Sequence, residues 1–194
     1  MDFGISEDQV LLKDSVRKFL EAECPTTRVR DIMESDSGHD AELWQGFADL
    51  GLTALPIAEA FGGAGLEVLD LALIAEELGF ACTPGPFLAN ALGTIALQAA
   101  DNTDAQKRWL PRIAAGKALA TYAAGEKIGV WEADDFEVRY ANGKLFGEKP
   151  LVPFAAIADI VIVAALDSQA HTPDLFLVER GADSMTTKEL IGND

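Results

Sequence analysis

The order of residues predicts an α+β protein: an N-terminal helical bundle domain, then a β-domain built as a sheet or barrel. Three observations carry this. Up to Lys117, apolar residues recur at helical spacing between helix-start and helix-stop signals. Beyond it they fall into short runs dense in Val, Ile and Phe. An Asn142-Gly143 pair between two such runs marks a tight hairpin of type I′. The chain therefore divides into residues 1–117, helical, and residues 118–194, an incomplete β-domain.

Each element has its own signature. Ser6 and Gln9 form a capping box ahead of a stripe of Val10, Leu12, Val16, Phe19 and Leu20. Pro25 follows the end of that helix. In DAELWQGFADLG, Leu43, Phe47 and Leu50 share a face, and Gly51 closes the helix. In LEVLDLALIAEELG, Leu71, Ile74 and Leu78 face inward, with Gly79 as the expected end. TPGPFLANALGTIALQAA is apolar nearly all round, the mark of a helix buried among others. TDAQKRWLPRIAAG opens with a second expected capping box, Thr103 and Gln106. The strands are ALATYAA, the hairpin FEVRY-ANG-KLFGEK, ADIVIVAA and DLFLVER, the last two joined by the polar LDSQAHTP. About five strands leave edges and one face uncovered, so a partner or further chain is expected to cover them.

Composition sets limits. Fifteen basic against 32 acidic residues give a net charge of −17, which argues against a nucleic acid or an anionic membrane as partner. A small anionic ligand needs only a few local donors and is not excluded. No apolar run reaches membrane-spanning length, and MDFGISEDQ lacks the basic and apolar regions of a signal peptide. Two isolated thiols, Cys24 and Cys82, fit a reducing, cytoplasmic location. His39 and His171 have no ligand spacing around them, so no metal site is expected.

The stretch EAFGGAGLEVLD resembles a glycine-rich phosphate loop but fails the test. Gly63 and Gly65 fit a G-x-G-x-x-G pattern, yet Val68 occupies the third position and no clean strand precedes it. A tight turn between helices is the expectation. Glu76 and Glu77 are adjacent carboxylates on an apolar helix and diverge by about 100°, so they are expected to face solvent or a basic residue rather than a shared proton. QKRW with Arg112 is either a salt-bridged helix face or a contact for a ligand phosphate. No G-x-S-x-G, H-E-x-x-H or Cys/His pairing occurs, so no self-contained active site is legible.

The segments taken together resemble the acyl-CoA dehydrogenase family. MDFGISEDQVLLKDSVRKFLEAECP is similar to its N-terminus. LWQGFADLGLTALPIAEAFGGAGLEVLDLALIAEELG is similar to its second helical block, with a Gly-Gly-x-Gly turn before a helix ending in Glu-Glu-Leu. AQKRWLPRIAAGKALATYAAGE resembles the helix that enters the first middle-domain strand, and NGKLFGEKPLVPFAAIADIVIVAA the hairpin and the Ala-Asp strand after it. The blocks follow in the right order along the whole chain.

That resemblance implies a three-part fold whose C-terminal four-helix domain is absent from this chain, FAD as cofactor, and oxidation of an acyl-CoA thioester to the 2,3-enoyl-CoA. The catalytic base belongs to the C-terminal domain in most members, so no catalytic residue is expected here. Flavin-binding positions fall on Ala123, Gly125, Leu151, Val152 and Pro153. Gly125 stands where the family has Thr, and IGVWEADD replaces its Gly-Ser-Asp loop. The Lys149 to Ala158-Asp159 spacing is kept, which sets Leu151 at the family's flavin-packing Trp and Pro153 at its Thr. The acyl pocket falls on Thr94, Leu97 and Gln98. The implied partners are an acyl-CoA of lipid catabolism, further dehydrogenase subunits in a homo- or hetero-oligomer, and an electron-transfer flavoprotein. The alternative is a flavin-poor, non-catalytic subunit supporting a catalytic one.

Overall fold

The computed structural model describes residues 4–126 and 136–190. Six α-helices precede a five-stranded mixed sheet within these residues. They form two compact units, residues 1–88 with 107–117, and residues 89–106 with 118–194.

The helical unit starts at α1 (Glu7–Glu23). Its Ser6 hydroxyl accepts from the Gln9 N–H while the Gln9 side chain accepts from the Ser6 N–H. A short α2 (Thr26–Met33), with Pro25 at its N-cap, has no counterpart in the sequence reading. Helix α3 (Ala41–Asp49) is capped by Asp40, whose carboxylate accepts from Glu42 and Leu43. Arg28 holds that carboxylate below the usual range by donating to it. Gly51 then takes the left-handed conformation that ends the helix. Two single 3-10 turns, Leu52–Ala54 and Glu59–Phe61, lead into α4 (Val68–Phe80). Leu71, Ile74 and Leu78 are buried as expected. Gly79 does not end α4: the helix runs on to Phe80, and Cys82 adopts the positive φ.

Helices α5 (Phe87–Ala99) and α6 (Thr103–Ala114) follow. Thr103 is the first residue of α6 and not its cap. The Asn102 side chain instead accepts from the Ala105 N–H, and the Gln106 amide turns back to the carbonyls of Leu97, Gln98 and Ala100 at 2.8–3.2 Å. Gln106 thus satisfies the open C-terminal end of α5, whose carbonyls have no partner in the helix itself.

In the sheet, β4 (Ile160–Asp167) is central. Its first half pairs in parallel with β1 (Ala120–Ala123) and its end with β2 (Arg139–Ala141). Its other edge pairs antiparallel along its length with β5 (Thr172–Glu179). Strand β2 turns into β3 (Lys144–Phe146) through Asn142 and Gly143, both at positive φ, the type I′ geometry that the pair predicts. Buried on both faces, β4 needs the unbroken apolar run IVIVAAL. Ala123, Val138, Val161, Val163 and Ala165 form one core layer, and Phe136, Ala164 and Leu166 another.

Candidate functional site

All eight residues picked out for flavin or acyl contact lie in the sheet unit, on α5, at the end of β1, or in the segment before β4. The joint between these elements is close. The Asn90 side chain accepts from the Ala120 N–H at 3.0 Å, so α5 fastens onto the backbone of β1. Three residues on, a Cβ at Gly93 would lie 2.9 Å from the Thr121 nitrogen and 3.0 Å from its oxygen. Only a glycine lets helix and strand approach this far. On α5 itself, Thr94 is 0% exposed and its hydroxyl has no hydrogen-bond partner among the described residues. Leu97 is buried and Gln98 half-buried.

On the other side of β1, the Thr121 hydroxyl donates to the Pro153 carbonyl at 2.7 Å. The segment it holds is conformationally unusual. Leu151 and Phe154 both have positive φ, 54° and 53°, although neither is glycine. Each such residue costs about 1–2 kcal/mol against right-handed backbone. Leu151 is 71% exposed, so its own burial does not offset that cost. Its neighbour Val152 turns inward and packs on the sheet core, as does Ala123. These two therefore have only backbone to offer a ligand. Among the described residues, Gly125 has only the Pro150 carbonyl near its Cβ direction, at 3.9 Å.

Before the segment stands a buried ion pair. Lys149 Nζ donates to Glu126 Oε1 at 2.5 Å and to the Ala124 carbonyl at 3.2 Å, with the Phe136 ring centroid 4.4 Å away. The two side chains are 7% and 2% exposed. Glu126 also accepts from the Val138 N–H. The stretch IGVWEADD and Lys127 lie outside the described residues.

Most of the other residues considered lie in the helical unit. A Cβ at Gly63 would stand 1.9 Å from the Ile57 carbonyl oxygen, and Gly62 and Gly65 have positive φ, so this stretch is a tight turn pressed on its own backbone. Glu77 is buried and receives two hydrogen bonds from Arg17, 2.7 and 2.8 Å, which hold its carboxyl below the usual range. Glu76 pairs with Lys13 at 2.7 Å on the exposed side. Arg108 and Arg112 both lie over the Trp109 ring, 5.0 and 4.7 Å from its centroid. A cavity of about 300 Å³ lined by Phe19, Arg28, Leu43 and Gln45 among others contains none of the predicted site residues. Among the described residues no His/Cys/Asp/Glu cluster could hold a metal, and no helix is long and apolar enough to cross a membrane.

Comparison with known proteins decides the family. The model of the acyl-CoA dehydrogenase N-terminal domain matches residues 6–117. This chain belongs to the acyl-CoA dehydrogenase family. The acyl-CoA dehydrogenase IpdE2 of Mycobacterium tuberculosis is 38% identical over 160 residues, covering 81% of this chain and 42% of its own length. Among solved structures, a Tcur3481-Tcur3483 steroid ACAD variant superposes with a TM-score of 0.83 at 27% identity, over 91% of this chain and 49% of that one. The FAD complex of PigA superposes with a TM-score of 0.80 at 26% identity, over all of this chain and 53% of that one. The chain thus spans about half the length of these relatives.

The family's flavin fits the donor set at this site. An exposed apolar side chain at Leu151 and, among the described residues, only the Pro150 carbonyl within 4 Å of the Gly125 Cβ direction are what an aromatic ring with carbonyl and amide edges can use. Pro153 is the exception. It has no N–H, and its carbonyl already accepts from Thr121. The sequence reading did not single out Thr121, Asn90 or Gly93. Each acts through a partner 28 or more residues away, for which a sequence carries no local mark.

Proposed function

We propose that this chain is the N-terminal and middle portion of an FAD-dependent acyl-CoA dehydrogenase that converts a lipid-derived acyl-CoA to its 2,3-enoyl-CoA. The observation that supports it is the approach of α5 and of the 151–154 segment to Thr121, the two places where the family resemblance sets acyl and flavin contacts. When bound, FAD would supply the hydride acceptor for the β-carbon of the acyl group. Leu151 would pack on its ring, and the backbone of Ala123, Gly125 and Val152 would border it. Thr94, Leu97 and Gln98 border the acyl group, and the Thr94 hydroxyl supplies an unused donor there. None of these residues removes the α-proton, so that base comes from elsewhere in the protein or its assembly. The name of one solved relative points to a steroid substrate. We extend to this chain a bulky lipid acyl group, a homo- or hetero-oligomer of dehydrogenase subunits, and an electron-transfer flavoprotein as acceptor.

Pro153 favours a second reading, in which the chain is a flavin-poor subunit that supports a catalytic one. One experiment separates the two. The natively purified protein is mixed anaerobically with acyl-CoAs of increasing bulk while its visible flavin absorption is followed. Bleaching of the flavin band by an acyl-CoA supports the dehydrogenase. A colourless protein that co-purifies with a dehydrogenase subunit supports the scaffold.

A further inference from the structure

We infer that Thr121 is a positioning residue that holds the 151–154 turn in its strained, flavin-facing form; the inference rests on the flavin-dependent reading above. Four observations lead to it. First, Leu151 and Phe154 keep positive φ without being glycine, and such strain persists only where surrounding structure over-determines it. Second, Leu151 is held 71% exposed, so the strain is not repaid by packing of its own side chain. Third, the turn is tied at three places. Lys149 binds Glu126 and the Ala124 carbonyl before it, and the Phe154 carbonyl accepts from Ile157 and Ala158 after it. Between these ties stands the Thr121 hydroxyl on the Pro153 carbonyl at 2.7 Å. Fourth, Thr121 is fully buried and its own backbone is fixed on both sides. It pairs with Val161 across the β1–β4 ladder, and Gly93 of α5 packs so close that a Cβ there would lie 2.9 and 3.0 Å from its nitrogen and oxygen. The hydroxyl therefore transmits a rigid position to a turn that would otherwise relax.

The arrangement also answers the proline. Pro153 has neither N–H nor hydroxyl to direct at a ligand. Its one polar group is turned inward and bound by Thr121, which leaves the turn's outer side to the Leu151 side chain. Thr121 touches no ligand in this account; it acts through Pro153.

The test compares Thr121→Val, which keeps the shape and removes the hydroxyl, with Thr121→Ser, which keeps the hydroxyl. Both are made in the natively expressed full-length protein. Val16→Ala, a cavity in the core of the helical unit, serves as a control for general destabilisation. FAD affinity is read from quenching of flavin fluorescence. The order of the turn is read from amide exchange at Ile157 and Ala158 in the flavin-free protein.

The expected result is that Thr121→Val binds FAD roughly tenfold more weakly, the effect of losing about one hydrogen bond. Its exchange at Ile157 and Ala158 speeds up by a similar factor, while Thr121→Ser stays near wild type on both. Val16→Ala lowers the melting temperature without changing FAD affinity. Wild-type FAD affinity or unchanged amide exchange in Thr121→Val would overturn the inference, as would equal weakening in Val16→Ala. If the wild type itself takes up no FAD, the flavin-dependent reading fails and the inference goes with it.

Discussion

The chain bends sharply at residues 62–65 and again at residues 147–154, and it does so by different means. The first bend uses glycine for each left-handed position and presses Gly63 against the Ile57 carbonyl. Backbone hydrogen bonds from Gly63, Ala64 and Gly65 to the carbonyls of Ala58, Ala54 and Ile57 keep it. The second bend starts with Gly147 but then places Leu151 and Phe154 at positive φ, held by Thr121 and by the Lys149–Glu126 pair. A turn that only reverses the chain uses the residue for which reversal is cheap. A turn that must present a side chain bears strain and is braced from outside. The glycine-rich stretch looks more like a ligand loop in sequence, yet it is the braced turn on which the proposed flavin contacts fall.

The comparison can be broken most severely at the brace. Lys149→Met strands the buried Glu126 carboxylate and should cost about 3–5 kcal/mol in urea unfolding. Adding Glu126→Gln should recover part of that loss, since the uncompensated charge is then gone. At the other bend, Gly63→Ala should cost about 3 kcal/mol, because backbone and not a side-chain tip stands in the way. Its folded fraction should bind FAD as the wild type does. A change in FAD affinity there would show that the glycine turn is more than a turn.

A smaller effect of opposite sign is expected at Leu151. Leu151→Gly relieves the positive-φ strain, offset by glycine's greater freedom in the unfolded chain, and should stabilise by roughly 0.5 kcal/mol. FAD binding should weaken at the same time. Stability and affinity moving in opposite directions is the signature of strain kept for function.

The mildest prediction concerns the helical unit, whose ion pair is open where that of the sheet unit is closed. Arg17 is 49% exposed while donating to the buried Glu77, and its hydrogen bonds are the main reason that this carboxyl is held low. A lowered carboxyl stabilises the fold fully above the ordinary glutamate range and loses that contribution as pH falls through its folded value. Melting temperature should therefore drop on acidification in the wild type, and the acid limb should be shallower in Glu77→Gln.

Much of the frame was legible from residues alone. The Ser6/Gln9 box, the Asn142-Gly143 turn and the continuous apolar run of β4 each act over a few neighbouring residues, and each forms as read. Errors arose where a local preference competed with tertiary structure. Gly79 is a good helix stop, yet α4 continues one residue further, with Arg17 lying 5.5 Å over the Phe80 ring, and leaves the left-handed position to Cys82. Asn102 displaced Thr103 as cap because Gln106 was drawn back to the end of α5. The eight-residue α2 is too short for periodicity to reveal. At the candidate site the family motifs marked Leu151 and Pro153, but their brace was hidden. Thr121 is an ordinary strand residue until the fold brings Pro153, 32 positions later, against its hydroxyl.

The central claim is that the braced turn faces a flavin, and titration of the natively purified full-length protein with FAD tests it most directly. The account predicts saturable uptake of one FAD per chain, with a yellow protein that keeps its flavin through gel filtration. A protein that stays colourless and leaves flavin fluorescence unquenched would contradict it.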